Sequence, residues 1–306
     1  MAKVLICDPM DPKAAGQMME ISGLEVIHND QGTPADELLK VVPEYECLIV
    51  RSATKVTREV IDAGANLKLI VRGGVGLDNI DVPYAESKGI VVRNTPAASS
   101  VSVAELAIGM MFSLARKIHA ADASMKAMKW EKKRFKGVEL WGKTVGIIGI
   151  GRIGQELAKR CTGLGMNAIA YDPYVKASDL GLAGILDVSL DELLERSDYI
   201  SVHVPHNDET HHMLSTGQLK KMKNSAFIID CARGGVLDES ALAQALKDGE
   251  IAGAGLDVYE KEPATEHIFA EFDNVVLTPH VGAQTKEGQA RVGFEVVDIV
   301  REFFAG

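Results

Sequence analysis

The 306-residue sequence lacks an apolar run long enough to cross a bilayer, and its N-terminus lacks the apolar core of a signal peptide. It also has few basic residues: 33 Lys and Arg stand against 43 Asp and Glu, for a formal net charge of −10. That balance argues against nucleic acid and anionic membranes as partners. We therefore expect a cytoplasmic protein with neither nucleic acid nor a membrane among its partners.

Cysteine is equally scarce. Four cysteines lie far apart, each within a predicted element: Cys7, Cys47, Cys161 and Cys231. This spacing indicates reduced thiols rather than a disulfide framework. Of all 306 residues, 46% are hydrophobic and 25% are charged, which is ordinary for a globular chain, and the length is sufficient for two domains.

One stretch of the sequence predicts a complete βαβ unit. A short β-branched run at 144–148 is followed by a glycine-rich turn, a helical pattern and a second strand at 168–171. Glycines at this spacing allow a tight turn, close approach of a pyrophosphate and close packing of the helix on the strand. The three glycines are Gly149, Gly151 and Gly154. The start of the helix, with its free N–H groups and dipole, suits the phosphate charge.

Asp172 closes this unit, 18 residues after Gly154. A carboxylate at that strand end accepts hydrogen bonds from ribose hydroxyls and repels a 2′-phosphate. No arginine follows directly, since the next residues are Pro173 and Tyr174. The sequence therefore predicts NAD, rather than NADP, as the cofactor.

Strands and helices alternate along most of the chain. Predicted strands in the first hundred residues lie at 4–7, 24–28, 47–50, 67–71 and 90–92, and Asn94-Thr95-Pro96 then breaks the pattern. Later strands are predicted at 199–204, 226–229, 253–256 and 275–278. We expect the last helix, 286–303, to return to the first sheet.

The fold class is therefore α/β, with two doubly wound parallel-sheet domains and a cleft between them. We predict a discontinuous, flavodoxin-like substrate domain at 1–97 plus 284–306, and a Rossmann NAD-binding domain at 98–283. The longest predicted helix, 99–119, is apolar nearly all round, so it should be buried. Part of it should lie in a subunit interface, and we expect a homodimer or higher homo-oligomer.

NAD implies hydride transfer, for which the protein must orient the substrate and handle one proton, and two strand ends carry suitable side chains. Arg233 lies among small residues, where its planar fork can hold a carboxylate. His280 follows a strand and a proline, and histidine is the natural proton carrier near neutral pH. Spacing alone leaves the carboxylate partner of His280 open, and the candidates are Glu260, Glu262 and Glu266. Cys231 is interpreted as a small buried residue rather than a nucleophile.

A second histidine group has metal-like spacing: His203, His206, His211 and His212. It lacks cysteines, and the residues between read as an exposed loop. We predict no metal site and interpret this segment as a loop over the adenine end of the cofactor.

Several motifs together resemble the D-isomer-specific 2-hydroxyacid dehydrogenase family. They are Arg51-Ser52-Ala53-Thr54, Gly73-Gly74-Val75-Gly76-Leu77-Asp78-Asn79, Asn94-Thr95-Pro96, Ala104-Glu105-Leu106, Trp130-Glu131-Lys132-Lys133, Gly149 to Gly154, Cys231 to Gly235, Glu262-Pro263 and Pro279-His280. One departure is Ala-Ala-Ser after Pro96, where an asparagine often stands.

The resemblance implies roles for individual residues. The catalytic set would be Arg233, Glu262 and His280, with Glu262 orienting the imidazole. Cofactor contacts would be Gly149, Gly151, Arg152, Ile153, Gly154, Asp172, Val204, Cys231, Asp257, Gly282 and Val75. Substrate contacts would be Arg51, Arg72, Val75 and Gly76, with the basic run 132–136 reaching a neighbouring subunit's site.

The implied reaction is NAD-dependent oxidation of the phosphorylated 2-hydroxy acid D-3-phosphoglycerate to 3-phosphohydroxypyruvate, in serine biosynthesis. A hydroxypyruvate or glyoxylate reductase of the same family is the alternative. An NAD-sensing transcriptional corepressor built on the same fold is a third possibility. Several relatives carry a serine-sensing C-terminal domain, and we expect none here.

Overall fold

The computed structural model describes residues 1–305, which form two compact units. The first unit comprises Met1–Ser99 together with the segment that begins at Ala283, and the second is Ser100–Gly282. The predicted division, at 97/98 and 283/284, lies close to these limits.

Twelve strands are numbered β1 to β12 along the described chain. They are β1 Ala2–Ile6, β2 Leu24–His28, β3 Cys47–Val50, β4 Leu69–Arg72, β5 Val91–Asn94, β6 Thr144–Ile148, β7 Asn167–Tyr171, β8 Ile185–Asp187, β9 Tyr199–Val202, β10 Phe227–Asp230, β11 Gly253–Leu256 and β12 Val275–Leu277.

Eleven α-helices accompany these strands over residues 1–305. They are α1 Pro12–Met19, α2 Ala35–Val41, α3 Arg58–Ala63, α4 Val82–Ser87, α5 Ser100–Arg116, α6 Ile118–Lys126, α7 Arg152–Gly163, α8 Leu190–Arg196, α9 Thr216–Leu219, α10 Glu239–Asp248 and α11 Lys286–Ala305. Short 3-10 turns lie at Val42–Glu44 and Lys132–Phe135.

The first unit is a five-stranded parallel sheet in the order β2-β1-β3-β4-β5. Because the order reverses between β1 and β3, their carboxyl ends open a crevice of the kind in which such sheets bind ligands. The last helix, α11, packs on α1 and β4, and it contributes Val296, Val297 and Val300 to the core on that face.

The second unit is a seven-stranded parallel sheet in the order β12-β11-β10-β9-β6-β7-β8. Its order reverses between β6 and β9. The glycine-rich turn follows β6, and the loop that begins at His203 follows β9. Apolar side chains fill both faces of the sheet, as two clusters of buried residues. The predicted fold class, two doubly wound parallel-sheet units, is confirmed.

Local sequence explains where individual helices begin and end. Asp238 precedes α10 and accepts a hydrogen bond from the backbone N–H of Ala241, and Gly249 ends the helix with a φ of 69°. An N-terminal aspartate and a C-terminal glycine satisfy backbone groups that the helix itself leaves free. The structure adds a strand that the sequence did not predict, Ile185–Asp187, which forms the edge of the second sheet.

The prediction of a single helix at 99–119 is wrong in one respect, because the structure has two helices there. Lys117 adopts a left-handed backbone with φ 52° and separates α5 from α6. Nine residues of α5 are buried, as its apolar character predicts, whereas α6 buries Ser124 alone. The structure contains no helix, among the residues it describes, that is long and apolar enough to span a membrane.

Replacement of Lys117 by glycine, which adopts a left-handed backbone without strain, should stabilise the protein. A non-glycine residue in this region costs about 1–2 kcal/mol, and glycine avoids most of that cost. We predict that Lys117→Gly raises the free energy of unfolding by about 0.5–1 kcal/mol, measured as a shift in the urea midpoint. The matched control is Lys159→Gly, at an exposed position inside α7, which should lose about 1 kcal/mol. A loss of stability in both variants would contradict the prediction.

Candidate active site

The glycine-rich turn after β6 is packed backbone against backbone. A Cβ added to Gly154 would lie 2.2 Å from the carbonyl oxygen of Gly149, so helix α7 can approach the turn only with glycine there. Gly149 has φ 92°, and Gly151 faces open space. This arrangement fits a phosphate-binding turn, because its one open position is the one that must let a pyrophosphate approach the backbone.

Asp172 fastens the glycine-rich turn to the end of β7. Its Oδ2 accepts a hydrogen bond from the Ile150 N–H at 3.0 Å. Its Oδ1 accepts from the N–H groups of Tyr174 at 2.9 Å and Val175 at 3.1 Å. The carboxylate therefore lies at the edge of the turn, on the side of β7, where a ribose would approach it. Val204, the second residue after β9, lies against Gly149.

A buried carboxylate, that of Asp257, organises the loop that carries His280. Asp257 Oδ1 accepts hydrogen bonds from Thr278 Oγ1 at 2.6 Å and from the Val281 N–H at 2.8 Å. Its Oδ2 accepts from the Gly282 N–H at 2.8 Å. These bonds hold the loop on both sides of His280, whose backbone has φ 52°. Both oxygens of Asp257 are thus engaged within the protein.

Glu262 is the carboxylate partner of His280. Its Oε2 lies 2.8 Å from His280 Nδ1, and its Oε1 accepts a hydrogen bond from the Tyr259 N–H at 3.1 Å. Glu260 points elsewhere, to His212, and Glu266 is exposed. The pairing at Nδ1 leaves the imidazole Nε2 for a substrate, with its tautomer set by the carboxylate. Half of the His280 side chain is exposed, at 48%.

Arg233 lies in the loop after β10, and His280 lies in the loop after β12, a strand of the same sheet. Its Nη1 donates a hydrogen bond to the Ala232 carbonyl at 2.7 Å, and the side chain is half-buried. The neighbouring Cys231 is buried, with its sulfur 3.8 Å from Met110 Sδ. Burial raises the pKa of this thiol well above its usual value. Those surroundings support the interpretation of Cys231 as a packing residue.

In the first unit, Arg51 follows β3 directly at the switch point of the sheet. The buried carboxylate of Asp8, at the end of β1, accepts hydrogen bonds from the Arg51 N–H and from Thr54 Oγ1, the latter at 2.7 Å. Asn79 donates to the carbonyls of Arg51 and Thr54, both at 2.6 Å. Burial lowers the pKa of the Arg51 guanidinium, which is still charged at neutral pH.

Arg72 ends β4, opposite Val50 in the register, so it lies beside Arg51 along the sheet edge. Its guanidinium folds over the next loop: a Cβ on Gly74 would lie 1.4 Å from Arg72 Nη1. The loop is held by Asn94, whose amide donates to the Val75 carbonyl at 2.6 Å. The fold therefore brings Arg51, Arg72, Val75 and Gly76 to one edge of the first sheet.

The predicted histidine group is divided by the structure. His203 is half-buried, its Nε2 lies 2.9 Å from Ser201 Oγ, and desolvation lowers its pKa to about 3. His206 and His211 contact each other at 3.0 Å on the exposed loop. His212 belongs to a different set, with Asp238 and Glu260, whose potential ligand atoms lie within 4.8 Å of one another.

Sequence reasoning missed three residues that hold the site in place. Asp8 was overlooked because an aspartate after a strand has no recognisable spacing to Arg51. Thr278 and Tyr259 were overlooked as ordinary strand-end residues, although the Tyr259 hydroxyl donates to the Thr278 carbonyl at 3.0 Å. The sequence signal that could have identified them is a polar residue just after a parallel strand, because the carboxyl ends of parallel strands meet at one edge of the sheet.

Comparison with known proteins places this geometry in a family. The sequence model described as "D-isomer specific 2-hydroxyacid dehydrogenase, NAD binding domain" matches residues 108–282. The chain belongs to the D-isomer-specific 2-hydroxyacid dehydrogenase family. A nicotinamide cofactor and a 2-hydroxy acid are therefore the ligands that the family assigns to this fold.

Individual relatives differ in their named substrates. Hydroxypyruvate reductase of Thermotoga maritima is 50% identical over 97% of this chain and 96% of its own length. D-3-phosphoglycerate dehydrogenase of Methanocaldococcus jannaschii is 46% identical over 100% of this chain and 58% of its own length. The chain thus spans little more than half of that relative. D-Lactate dehydrogenase of Aquifex aeolicus, solved with NAD and lactic acid, superposes with a TM-score of 0.86, 32% identity and coverage of 99% and 96%.

The two glycines of the turn should respond differently to an added methyl group. We predict that Gly154→Ala costs about 1–3 kcal/mol of stability, because the Cβ overlaps a backbone oxygen. Gly151→Ala should keep its stability yet bind NADH at least about tenfold more weakly, because the methyl lies where phosphate must approach.

Thermal unfolding and NADH fluorescence titration measure the two effects. The control is Gly163→Ala in the same helix, where a Cβ meets nothing within 4 Å; NADH affinity should be retained, and stability should be kept or raised because alanine favours a helix. Unchanged NADH affinity in Gly151→Ala would contradict the assignment of this turn to the cofactor.

Asp230, buried at the end of β10, should make stability fall with rising pH. Burial raises its pKa to about 7, although the Ala232 N–H donates to its Oδ1 at 2.9 Å. The folded state then holds a proton that the unfolded chain releases near pH 4, so stability is lost as pH rises from about 4 to about 7.

Asp230→Asn should remove this loss. We predict that the stability difference between variant and parent grows in favour of the variant by about 1–3 kcal/mol between pH 5 and pH 8, measured by urea unfolding at each pH. Exposed Asp248→Asn is the control and should follow the parent. A constant difference across this range would show that Asp230 is ionised throughout.

Proposed function

We propose that this protein oxidises D-3-phosphoglycerate to 3-phosphohydroxypyruvate with NAD. The observation that carries the proposal is the pair of arginines, Arg51 and Arg72, at the ends of neighbouring strands in the unit that lacks the glycine-rich turn. A dehydrogenase acting on a simple hydroxy acid needs one carboxylate clamp, which Arg233 supplies. Two further guanidinium groups suit a second anion, namely a phosphate.

Proton transfer falls to His280 in this proposal. Its Nε2 takes the proton of the substrate C2 hydroxyl during oxidation and returns it during reduction. Glu262, at 2.8 Å from Nδ1, holds the ring in position and stabilises the positive charge that develops on it. The glycine-rich turn would hold NAD, whose nicotinamide ring would supply the acceptor for the hydride that leaves C2.

Substrate orientation falls to Arg233 and to the loop after β4. The Arg233 guanidinium binds the carboxylate and polarises the C2 oxygen. In the first unit, the backbone N–H groups of Val75 and Gly76 would serve as donors to a substrate carboxylate, and Asn94 keeps their loop in shape through the Val75 carbonyl.

We assign the cofactor to the carboxyl edge of the second sheet. Asp172 supports NAD over NADP, because a carboxylate there repels a 2′-phosphate. The remaining contacts would come from the turn and the following strand ends: Gly149, Gly151, Arg152, Ile153, Gly154, Val204, Cys231 and Gly282, with Val75 near the nicotinamide. Asp257 would act on the cofactor through the Gly282 loop, since its own oxygens are occupied.

A homodimer is part of the proposal. Exposed apolar side chains on α5 and α6 support it, namely Phe112, Ile118 and Met125. Their burial by a second copy would remove apolar surface from water.

Hydroxypyruvate reduction is the second candidate, and a specific observation favours it. The relative from Thermotoga maritima that carries this name matches 97% of the chain at 50% identity. Both reactions use the same catalytic set, so the difference lies in whether Arg51 binds a phosphate.

Arg51→Ala separates the two reactions. We predict that kcat/KM for 3-phosphohydroxypyruvate falls by about 10- to 100-fold, the equivalent of one charge-assisted contact of about 1.5–3 kcal/mol, whereas kcat/KM for hydroxypyruvate barely changes. Steady-state NADH oxidation measures both values.

The control is Arg58→Ala, an exposed guanidinium in the same unit that pairs with Asp81 at 2.8 Å. It should leave both substrates unaffected. Comparable kcat/KM for the two substrates in the parent protein would favour the hydroxypyruvate reductase, and NADH binding without any turnover would favour a sensor.

A further inference from the structure

The turn formed by residues 259–262, which carries Glu262, is joined to helix α10 by two reciprocal hydrogen bonds. The Glu260 N–H donates to Glu239 Oε1 at 2.8 Å. The Glu239 N–H donates to Glu260 Oε1 at 3.1 Å. Each carboxylate thus accepts the backbone N–H of the other residue, which fixes position 260 relative to the first residue of the helix.

His212 holds the Glu260 carboxylate from a second direction. Its Nε2 lies 3.0 Å from Glu260 Oε1, and its Nδ1 lies 3.9 Å from Asp238 Oδ2. Asp238 is itself fixed, because it accepts from the Ala241 N–H at 3.0 Å and from Ser215 Oγ at 2.8 Å. The loop after β9 and the start of α10 therefore converge on one side chain.

The same turn supports the Arg233 loop. A Cβ added to Gly234 would lie 1.8 Å from the Tyr259 carbonyl oxygen and 2.8 Å from the Glu260 nitrogen. The two loops are therefore in direct backbone contact, and a displacement of residue 260 would disturb the loop next to Arg233 as well as Glu262.

On its inner side, the turn is held through Tyr259. Its N–H binds Glu262 Oε1 at 3.1 Å, and its hydroxyl binds the carbonyl of Thr278, two residues before His280. Inner contacts link the turn to the His280 loop, and the hydrogen bonds of Glu260 link it to the start of α10. Without the Glu260 contacts, the turn that carries Glu262 would lose its hydrogen bonds to the start of α10.

We infer that Glu260 is a positioning residue, which acts through Glu262 to hold the imidazole of His280 for proton transfer. The inference rests on the proposed function for its catalytic consequence. His212, Asp238 and Glu260 also resemble a set of metal ligands. Four of their polar atoms, namely His212 Nε2, Glu260 Oε1 and both Asp238 oxygens, already have hydrogen-bond partners within the protein, and those bonds account for the arrangement.

The first test is Glu260→Ala in the full-length protein. We expect kcat to fall about tenfold, since a small misplacement of a catalytic group is costly, with KM for NADH and the thermal midpoint unchanged. Glu260→Gln keeps an acceptor oxygen for the Glu239 N–H and should restore most of the rate. Glu271→Ala, an exposed acidic residue of the same unit, is the control. An equal loss in Glu260→Gln would contradict the role of the acceptor oxygen.

The second test asks whether Glu260 acts through Glu262. In a Glu262→Gln background, Glu260→Ala should cause little further loss of kcat, because the pair it positions is already broken. If the two losses multiply, Glu260 acts by another route and the inference is overturned.

The third test does not depend on the identity of the substrate. The proton on His280 Nδ1, bonded to Glu262, should give a downfield NMR signal that Glu260→Ala weakens or removes and that Glu271→Ala retains. An unchanged signal in Glu260→Ala would overturn the inference even if the proposed reaction is confirmed. Conversely, loss of the signal in a protein inactive with both substrates would support the inference and refute the proposed function.

Titration with Zn²⁺ tests the alternative that His212, Asp238 and Glu260 bind a metal ion. We expect no saturable binding that Glu260→Ala abolishes. One equivalent of bound Zn²⁺ that raises the thermal midpoint and is lost with this variant would replace the positioning role by a metal site.

Discussion

The buried carboxylate of Asp257 is the constraint on which the candidate active site depends. A charge in the interior is tolerated only when hydrogen bonds replace its hydration, and here three donors do so. All three donors, Thr278 Oγ1 and the N–H groups of Val281 and Gly282, belong to the segment after β12. The cost of burying the charge therefore enforces the loop geometry, including the left-handed backbone that directs His280 toward Glu262.

Asp8 fixes a loop in the first unit in the same way as Asp257 does in the second. It too is a buried carboxylate at the end of a strand, and its acceptors are satisfied by the loop after the adjacent strand. In both units an acidic side chain shapes a neighbouring loop, and that loop presents the residue with the proposed chemical role, His280 in one and Arg51 in the other. Loss of either acid would leave buried N–H groups without acceptors, a larger penalty than the loss of one surface contact.

Periodicity and glycine spacing were enough to predict the two parallel sheets, the turn at Gly149 and the position of Asp172. These features follow from local rules, because parallel strands, their crossover helices and the turn between them all lie close in sequence. The partner of His280 could not be chosen that way. Glu260 and Glu262 differ by two residues, and only the contact of Glu260 with Glu239 and His212 turns it away from the imidazole. The break at Lys117 was equally hidden, since lysine carries no signal for a left-handed backbone.

The acidic composition of the chain does not conflict with binding of anionic ligands. Net charge acts over distances at which salt screens it, whereas an anion in a crevice responds to groups within a few ångströms. In both units the carboxylates nearest the proposed sites are already engaged: Asp8 and Asp257 accept several hydrogen bonds each, and Glu262 is paired with His280. The basic segment near Phe135 is less available than its composition suggests, because Arg134 pairs with Asp273 at 2.7 Å. The local potential at Arg51, Arg72 and Arg233 can therefore be positive in a protein whose total charge is −10.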